Sequence, residues 1–515
     1  MTRRKLPIGI QNFREIREEG HYYVDKTGFA LRLIEQGKYY FLSRPRRFGK
    51  SLFLDTLAEL FAGNEPLFQG LEAHGRWDWG RRYPVIRLGF GGGVLRDRAE
   101  LDDKIGELLA EAERQLGVAG DAPTLSGRLA QIIRLAHERH GERTVVLVDE
   151  YDKPILDNLA RPEAARDIRD GLRNLYSVIK DSDAHLRFGF LTGVSKFSKV
   201  SLFSGLNNLI DITVDAKYSA ICGYTEADLD TIFAPELHGL DRDEIRHWYN
   251  GYNWTGEAVY NPFDLLLLFQ RRQFRAWWFE TAMPTFLVDL LLERRVFLPR
   301  LGQLRSDAAL LSSFDVGQIA VEALLFQTGY LTIDSEEQRF GEYWYRLRYP
   351  NHEVYQSLNS SLLKAWTANG QDMLGNKQRL GDLLLANDFA GLEELFTAFF
   401  ASIPNDWYRN NPIASYEGYY ASVFYAYFAS LGLDLTPEET SNAGRLDMAL
   451  RFNGQVYLFE FKVVELAPEG RALAQLKDKG YAERYRADGG PIHLIGVEFS
   501  RERRSVVGFA VETLG

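Results

Sequence analysis

The chain has 515 residues, one cysteine and a formal net charge of −10, with 45% hydrophobic and 13% aromatic residues. The lone Cys222 excludes internal disulfides and cysteine-based zinc clusters and suits a reducing compartment, and the charge excludes a uniformly basic nucleic-acid coat, so any nucleic-acid surface is local. The length allows two to four domains, the opening MTRRKLPIGIQNF lacks a signal-peptide core, and the apolar stretches FDLLLLF and TFLVDLLL are too short to cross a bilayer, which predicts a soluble cytoplasmic protein with no membrane partner.

From Lys38 to Thr213 strands and helices alternate. YYFLS is a strand, RPRRFGKS a basic loop, and SLFLDTLAELF a helix with Phe53, Leu57, Leu60 and Phe61 at helical spacing. YPVIRLGF is a second strand. Two amphipathic helices follow between Leu101 and His140, broken near Pro123. RTVVLVDEYD is a third strand, apolar at every position from Val145 to Val148, as suits a parallel strand covered on both faces. LRFGFLTGVS and LIDITVD complete an α/β sheet.

From about Thr225 the chain turns helix-rich. VEALLFQTGYLTI and YWYRLRYPNHEV read as helix, strand, turn, strand: either a helical lid followed by a winged-helix module, or plain helical packing. Near Gly381 a third section begins. It has two helices (EELFTAFFASI and YEGYYASVFYAYFASLGL), a hairpin, a helix from about Ala472 to Tyr485 and a final strand, PIHLIGVEF. The predicted divisions are 1–225, 226–380 and 381–515.

The basic loop ends in Gly49-Lys50-Ser51, the ending of a phosphate-binding loop, but Arg44 stands where that motif wants its first glycine. Such a loop aims backbone N–H groups and a helix N-terminus at anionic oxygens. Lys50 would reach the β and γ phosphates, Ser51 would hold Mg²⁺, and Arg46, Arg47 and Phe48 complete the cradle. Arginine at 44 is costly only if that position needs positive φ. About a hundred residues on, the apolar strand ends in Asp149-Glu150, which would put Asp149 on Mg²⁺ and Glu150 beside the attacking water as general base. Thr192 and Ser195 end a further strand, with hydroxyls able to sense the γ-phosphate.

In the third section, GRLDMALRFNGQVYLFEFKV contains Asn453-Gly454, the strongest short hairpin signal. With a two-residue turn Phe452 faces Gln455, and counting outward Asp447 faces Glu460. Opposed Cβ atoms lie about 4.5–5.5 Å apart, so the two carboxylates repel unless a cation sits between them or one is protonated. Lys462 shares their face, while Tyr457, Phe459 and Phe461 take the other. Acids and a lysine so placed suit Mg²⁺ or Mn²⁺, the ion activating water and Lys462 orienting it or stabilising developing charge. A cross-strand salt bridge on a solvated face is the plainer alternative.

The segments LPIGIQNFREIREEGHYYVDKT, YFLSRPRRFGKS, LVDEYDKP, TGVSKFS, WYNGYNW, YNPF and LLFQTGYL resemble those of bacterial AAA-ATPase-like proteins with a C-terminal PD-(D/E)XK nuclease-superfamily domain. The resemblance spans nearly the whole chain, and RPRRFGKS is that family's phosphate loop. It implies a P-loop ATPase domain with a parallel sheet, a helical middle and a restriction-endonuclease-like α/β domain. It implies ATP with Mg²⁺ at Lys50, Ser51, Asp149 and Glu150, and a nuclease set of Glu417, Asp447, Glu460, Lys462 and Gln475. Asp25 and Lys26 of YYVDKT match without an assigned role.

These features together predict an ATP-hydrolysing enzyme coupled to metal-dependent cleavage of nucleic acid, DNA favoured over RNA. In QRRQFRAWWFE, Arg271, Arg272 and Arg275 with Trp277 and Trp278 can grip backbone and stack bases, or form a helix with one buried face. A second reading is a nucleotide-dependent oligomerising switch or nucleic-acid-binding module whose nuclease-like domain does not cut, in mobile-element or phage-defence biology. A homo-oligomer with an arginine supplied by a neighbouring subunit is left open.

Overall fold

The computed structural model describes residues 3–196, 208–279, 296–311, 320–366, 370–402, 417–441 and 444–515, with single positions between 287 and 294. The chain divides into two compact units: Met1–Ala282 with Leu304–Asn351, and Met283–Gln303 with His352–Gly515. Among the described residues no helix is long and apolar enough to cross a membrane.

The first unit is built on five parallel strands: β1 (Tyr39–Ser43), β2 (Val85–Gly89), β3 (Thr144–Asp149), β4 (Leu186–Gly193) and β5 (Ile210–Asp211), in the order β2-β3-β4-β1-β5. Val145 to Val148 have no exposure and lie between two parallel neighbours, as their continuous apolar run requires. LIDITVD supplies only the two residues of β5, paired to Tyr40 and Phe41. Helix α1 (Lys50–Phe61) leaves the phosphate loop, while α2 (Arg98–Leu116) and α3 (Leu125–His140), each capped by an Asp or Thr side chain, cover the sheet with α4 (Pro162–Asp181).

The order matters for chemistry. β4 separates β1, which ends in the phosphate loop, from β3, which ends in Asp149. Leu42 is paired to Thr192, and Val148 to Leu191, so the three strands end level. Ligands of open parallel sheets sit outside such carboxyl ends.

Later in this unit come α5 (Glu226–Thr231) and α6 (Pro262–Arg271). A three-stranded antiparallel sheet follows, of β6 (Arg305–Asp307), β7 (Thr332–Arg339) and β8 (Glu342–Arg348), with α7 (Val321–Thr328) before β7. The hairpin turns at Phe340-Gly341, both at positive φ, and not at RYPNHEV, whose last residues open α8 (His352–Trp366).

The second unit holds a five-stranded sheet in the order β13-β12-β11-β10-β9: β9 (Asp434–Ser441), β10 (Gly444–Phe452), β11 (Gln455–Val464), β12 (Ile492–Ser500) and β13 (Val506–Leu514). β13 is a strand beyond the expected last one. Helices α9 (Phe389–Ser402) and α10 (Glu417–Ser430) pack aromatics on one face, where Phe424 meets Phe461 and Phe428 meets Phe459 at ring distances of 5.0 and 5.3 Å. Helix α11 (Arg471–Asp478) covers the other face with a core of Val456, Leu458, Leu476 and Leu494. The expected single helix to Tyr485 breaks at Gly480, whose φ of 59° suits glycine, and continues as a 3-10 segment from Tyr481.

His493 of β12 is buried, with Nε2 2.7 Å from Gln455 Oε1 and Nδ1 2.9 Å from Thr513 Oγ1. The Gln455 oxygen only accepts, so Nε2 donates to it. Burial lowers its pKa from the ordinary 6.5. Its contribution is therefore full above about pH 6.5 and declines as pH falls, because the unfolded ring takes up a proton first. The thermal midpoint is expected to drop between pH 7 and pH 5, and His493→Gln to flatten that slope.

Candidate nucleotide and metal sites

The phosphate loop is shaped by Gly49, which caps α1 at φ 91°, and by Arg47 at φ 68°. Arg44 is absent from the positive-φ positions, so no glycine is needed there. Its side chain is fully buried and faces away from the loop's interior. Its guanidinium donates to the carbonyls of Ser43 (2.9 Å), Thr213 (2.8 Å) and Tyr218 (3.0 Å) and lies 3.9 Å from the Trp254 ring centroid. Burial pulls its pKa down to about 10, still charged at neutral pH. The missing glycine is thus a structural anchor. Arg44→Gly, which restores the usual motif, is expected to destabilise the protein by about 3 kcal/mol by orphaning buried carbonyls. Thermal or denaturant unfolding measures it.

Lys50 is 6% exposed, and its Nζ donates to the carbonyls of Arg44 and Pro45, both at 2.9 Å. Burial lowers its pKa, opposed by the charges of Asp149 and Glu150. Phosphate oxygens can replace the two carbonyls. Asp149 Oδ1 accepts from the Thr192 hydroxyl at 2.7 Å, so the Thr192 hydroxyl is engaged by Asp149 and is not the free γ-phosphate contact expected from the sequence. Ser195 is likewise corrected: its N–H and hydroxyl both donate to Asp152 Oδ2, at 2.6 Å each.

A cavity of about 360 Å³ opens over the loop, lined by Arg46 to Phe53 and by Glu150, with Gly91 beside the Glu150 carboxylate. Much of its remaining wall comes from motifs read in the sequence only as family marks, and Ile221–Tyr224 line it as well. Pro7 to Gln11 bring LPIGIQNF, Tyr22 to Lys26 bring YYVDKT, and Pro262 and Phe263 bring YNPF. Phe263 supports the Arg47 guanidinium 4.9 Å from its ring centroid. Lys26 lines the cavity and pairs with Asp228 Oδ2 at 3.2 Å, whereas Asp25 receives the amides of Thr27 and Glu72. Pro7–Gln11, which carry only family likeness, and Cys222–Tyr224, which carry no pattern, are not legible in the sequence as wall residues.

WYNGYNW and LLFQTGYL hold the loop from behind. Phe48, 1% exposed, packs edge-on against Tyr252 and Trp254. Trp278 Nε1 donates to the Arg46 carbonyl at 3.0 Å, and the Trp278 ring lies 5.5 Å from that of Tyr330. This corrects the base-stacking expectation: Trp278 is 1% exposed, and Trp277 packs on the core of α5 and α6. Arg272 is turned to the carbonyls of Glu236 and His238.

In the second unit the hairpin turn at Asn453-Gly454 takes φ of 50° and 71° and pairs Phe452 with Gln455 through Met448 with Phe459. Asp447 is the next residue along β10. Asp447 Oδ2 accepts the Phe461 amide at 2.9 Å. Glu460 is 1% exposed, and its Oε1 accepts from Lys462 Nζ at 3.1 Å and from the Gln475 side-chain amide. Tyr481, buried, is hydrogen-bonded to Gln475, and its hydroxyl is pushed up by burial and by the Glu460 charge. Glu417 opens α10, but its side chain lies outside the described residues.

These donors fit a divalent ion. Two carboxylates with substrate phosphate and water satisfy Mg²⁺, which seldom takes an all-protein cage. Among the described residues no group of three or more His, Cys, Asp or Glu side chains forms a fuller cluster. At the phosphate loop Ser51 and the Thr192-held Asp149 offer oxygen donors of the same kind.

Two family descriptions match the chain: "Predicted AAA-ATPase" over residues 7–203, and "PD-(D/E)XK nuclease superfamily" over residues 415–509. A protein of Azotobacter chroococcum mcd 1, described as "Uncharacterized protein in vnfD 5'region", is 69% identical over 516 residues, covering 100% of both chains. The chain belongs to the AAA-ATPase-like family with a C-terminal PD-(D/E)XK nuclease-superfamily domain. No solved structure matches it. In this AAA-ATPase-like protein the cavity over the phosphate loop lies in the first unit, and the Asp447–Glu460–Lys462 face in the second.

Proposed function

We propose that the protein hydrolyses ATP in the cavity over the phosphate loop, and that nucleotide state controls metal-dependent cleavage of nucleic-acid phosphodiesters, DNA before RNA, at the hairpin carboxylates. The observation that carries the first half is Lys50, buried and held by two loop carbonyls, in a cavity shared with Glu150. The observation that carries the second is Glu460, buried yet joined by Lys462 and Gln475 on the face of Asp447.

In the ATPase centre the backbone from Arg46 to Ser51 and the start of α1 bind the phosphates. Lys50 exchanges its carbonyls for β and γ oxygens, and Glu150 takes the proton of the attacking water. Mg²⁺ held by Ser51 and Asp149 supplies charge neutralisation. In the nuclease centre Gln475 fixes the rotamer of Glu460, and Lys462 orients the attacking water or stabilises charge on the phosphate. A divalent ion held by Asp447 and Glu460 supplies polarisation of the phosphate and a more acidic water.

A cleavage assay across single- and double-stranded DNA and RNA, with Mg²⁺ or Mn²⁺ and with or without ATP, tests this. Metal-dependent cutting that responds to ATP is expected. Stoichiometric binding without cutting under any metal contradicts it and favours a nucleotide-dependent binding module.

A further inference from the structure

Helix α11 carries Gln475, yet it begins without a cap of its own: its N-cap is Gly470, with φ 72° and no side chain. The cap comes from the neighbouring strand. Glu498 of β12 is 3% exposed, and its Oε2 accepts the amides of Glu469 (2.5 Å) and Gly470 (3.0 Å) while Oε1 accepts that of Ala472 (3.2 Å). A strand irregularity between Glu498 and Phe499 marks the place, the kind of bulge that re-aims a side chain.

Register ties this cap to the carboxylate centre. On β11 Lys462 is paired with Glu498, and Glu460 with Gly496. A Cβ on Gly496 would lie 2.3 Å from the Leu473 amide nitrogen, so the helix backbone rests directly on the strand there. Three residues beyond Ala472, one helical turn, Gln475 reaches Glu460. A buried charge is costly unless it is fully hydrogen-bonded. An apolar residue would pack α11 against the sheet equally well, but it would not fix the height of its first turn.

We propose that Glu498 is a positioning residue for the carboxylate centre: by receiving the first amides of α11 it sets Gln475 on Glu460, and so sets the orientation of Glu460 as a metal ligand. The inference rests on the nuclease reading. Outer partners of a metal ligand typically change metal affinity about tenfold to a hundredfold.

The test is Mn²⁺ binding to the nucleotide-free full chain by calorimetry, the component lost in Asp447→Ala being assigned to this centre. Glu498→Gln, which turns one acceptor into a donor facing N–H groups, is expected to weaken that component about tenfold. Gln475→Ala should weaken it similarly, and the double variant should be no weaker than Gln475→Ala alone, because both changes break one linkage. Gly496→Ala, which lifts the helix from the strand, should reproduce the loss and serves if Glu498→Gln does not fold. Wild-type affinity in Glu498→Gln, or losses that add in the double variant, would overturn the inference while leaving the nuclease reading standing. No binding by the wild type overturns both.

Discussion

Lys50→Ala is expected to lower ATP turnover about a hundredfold or more, the scale for removing a preorganised charge donor from a phosphoryl or acyl centre. The side chain is buried in its own loop, so the deletion removes the phosphate-loop lysine and leaves two carbonyls, those of Arg44 and Pro45, without their donor. The stability cost should be about 1 kcal/mol per lost bond, far less than the loss of turnover. Glu150→Gln separates binding from chemistry. It keeps the shape of the cavity wall and removes the base, so ATP should bind and persist, with turnover reduced about 10²- to 10⁴-fold. Phosphate release and binding of a fluorescent ATP analogue distinguish the two variants. Undiminished turnover in Lys50→Ala would place the ATPase centre elsewhere.

Lys462→Ala is expected to reduce cleavage about a hundredfold while ATP turnover continues, since Lys462 lies in the second unit and the phosphate loop in the first. It has a second consequence. Glu460 is 1% exposed, and Lys462 Nζ sits 3.1 Å from its Oε1. Removing the ammonium leaves a buried carboxylate with less compensation, which destabilises the unit. A divalent ion replaces that charge, so the melting temperature of Lys462→Ala should fall in EDTA and recover in Mn²⁺ more than that of the wild type. A variant that cuts normally, or whose stability ignores metal, would remove Lys462 from the centre.

The parts legible in the sequence are those fixed by local rules. The run from Val145 to Val148 announces a strand covered on both faces, and Asn453-Gly454 sets a two-residue turn from which the pairing of Phe452 with Gln455 through Met448 with Phe459 follows by counting. The rest depends on partners distant in sequence. Nothing near Arg44 reveals that Thr213, Tyr218 and Trp254 will surround it. The hydroxyls of Thr192 and Ser195 looked alike on a strand end, and only the insertion of β4 beside β3 turns one to Asp149 and the other to Asp152. The role of Glu498 is invisible in the sequence because its partners are backbone amides, which leave no mark there. The tryptophans of QRRQFRAWWFE looked like a stacking surface because burial of an aromatic face and exposure for a ligand have the same spacing.

Crystals grown with a slowly hydrolysed ATP analogue and soaked in Mn²⁺ would test the two-centre account most directly, through their anomalous scattering. Two peaks per chain are expected, one touching Ser51 and Asp149, the other touching Asp447 and Glu460. A map with no peak at the hairpin carboxylates, or with Glu460 still held by Lys462 and Gln475 and the ion bound to other side chains, would contradict it.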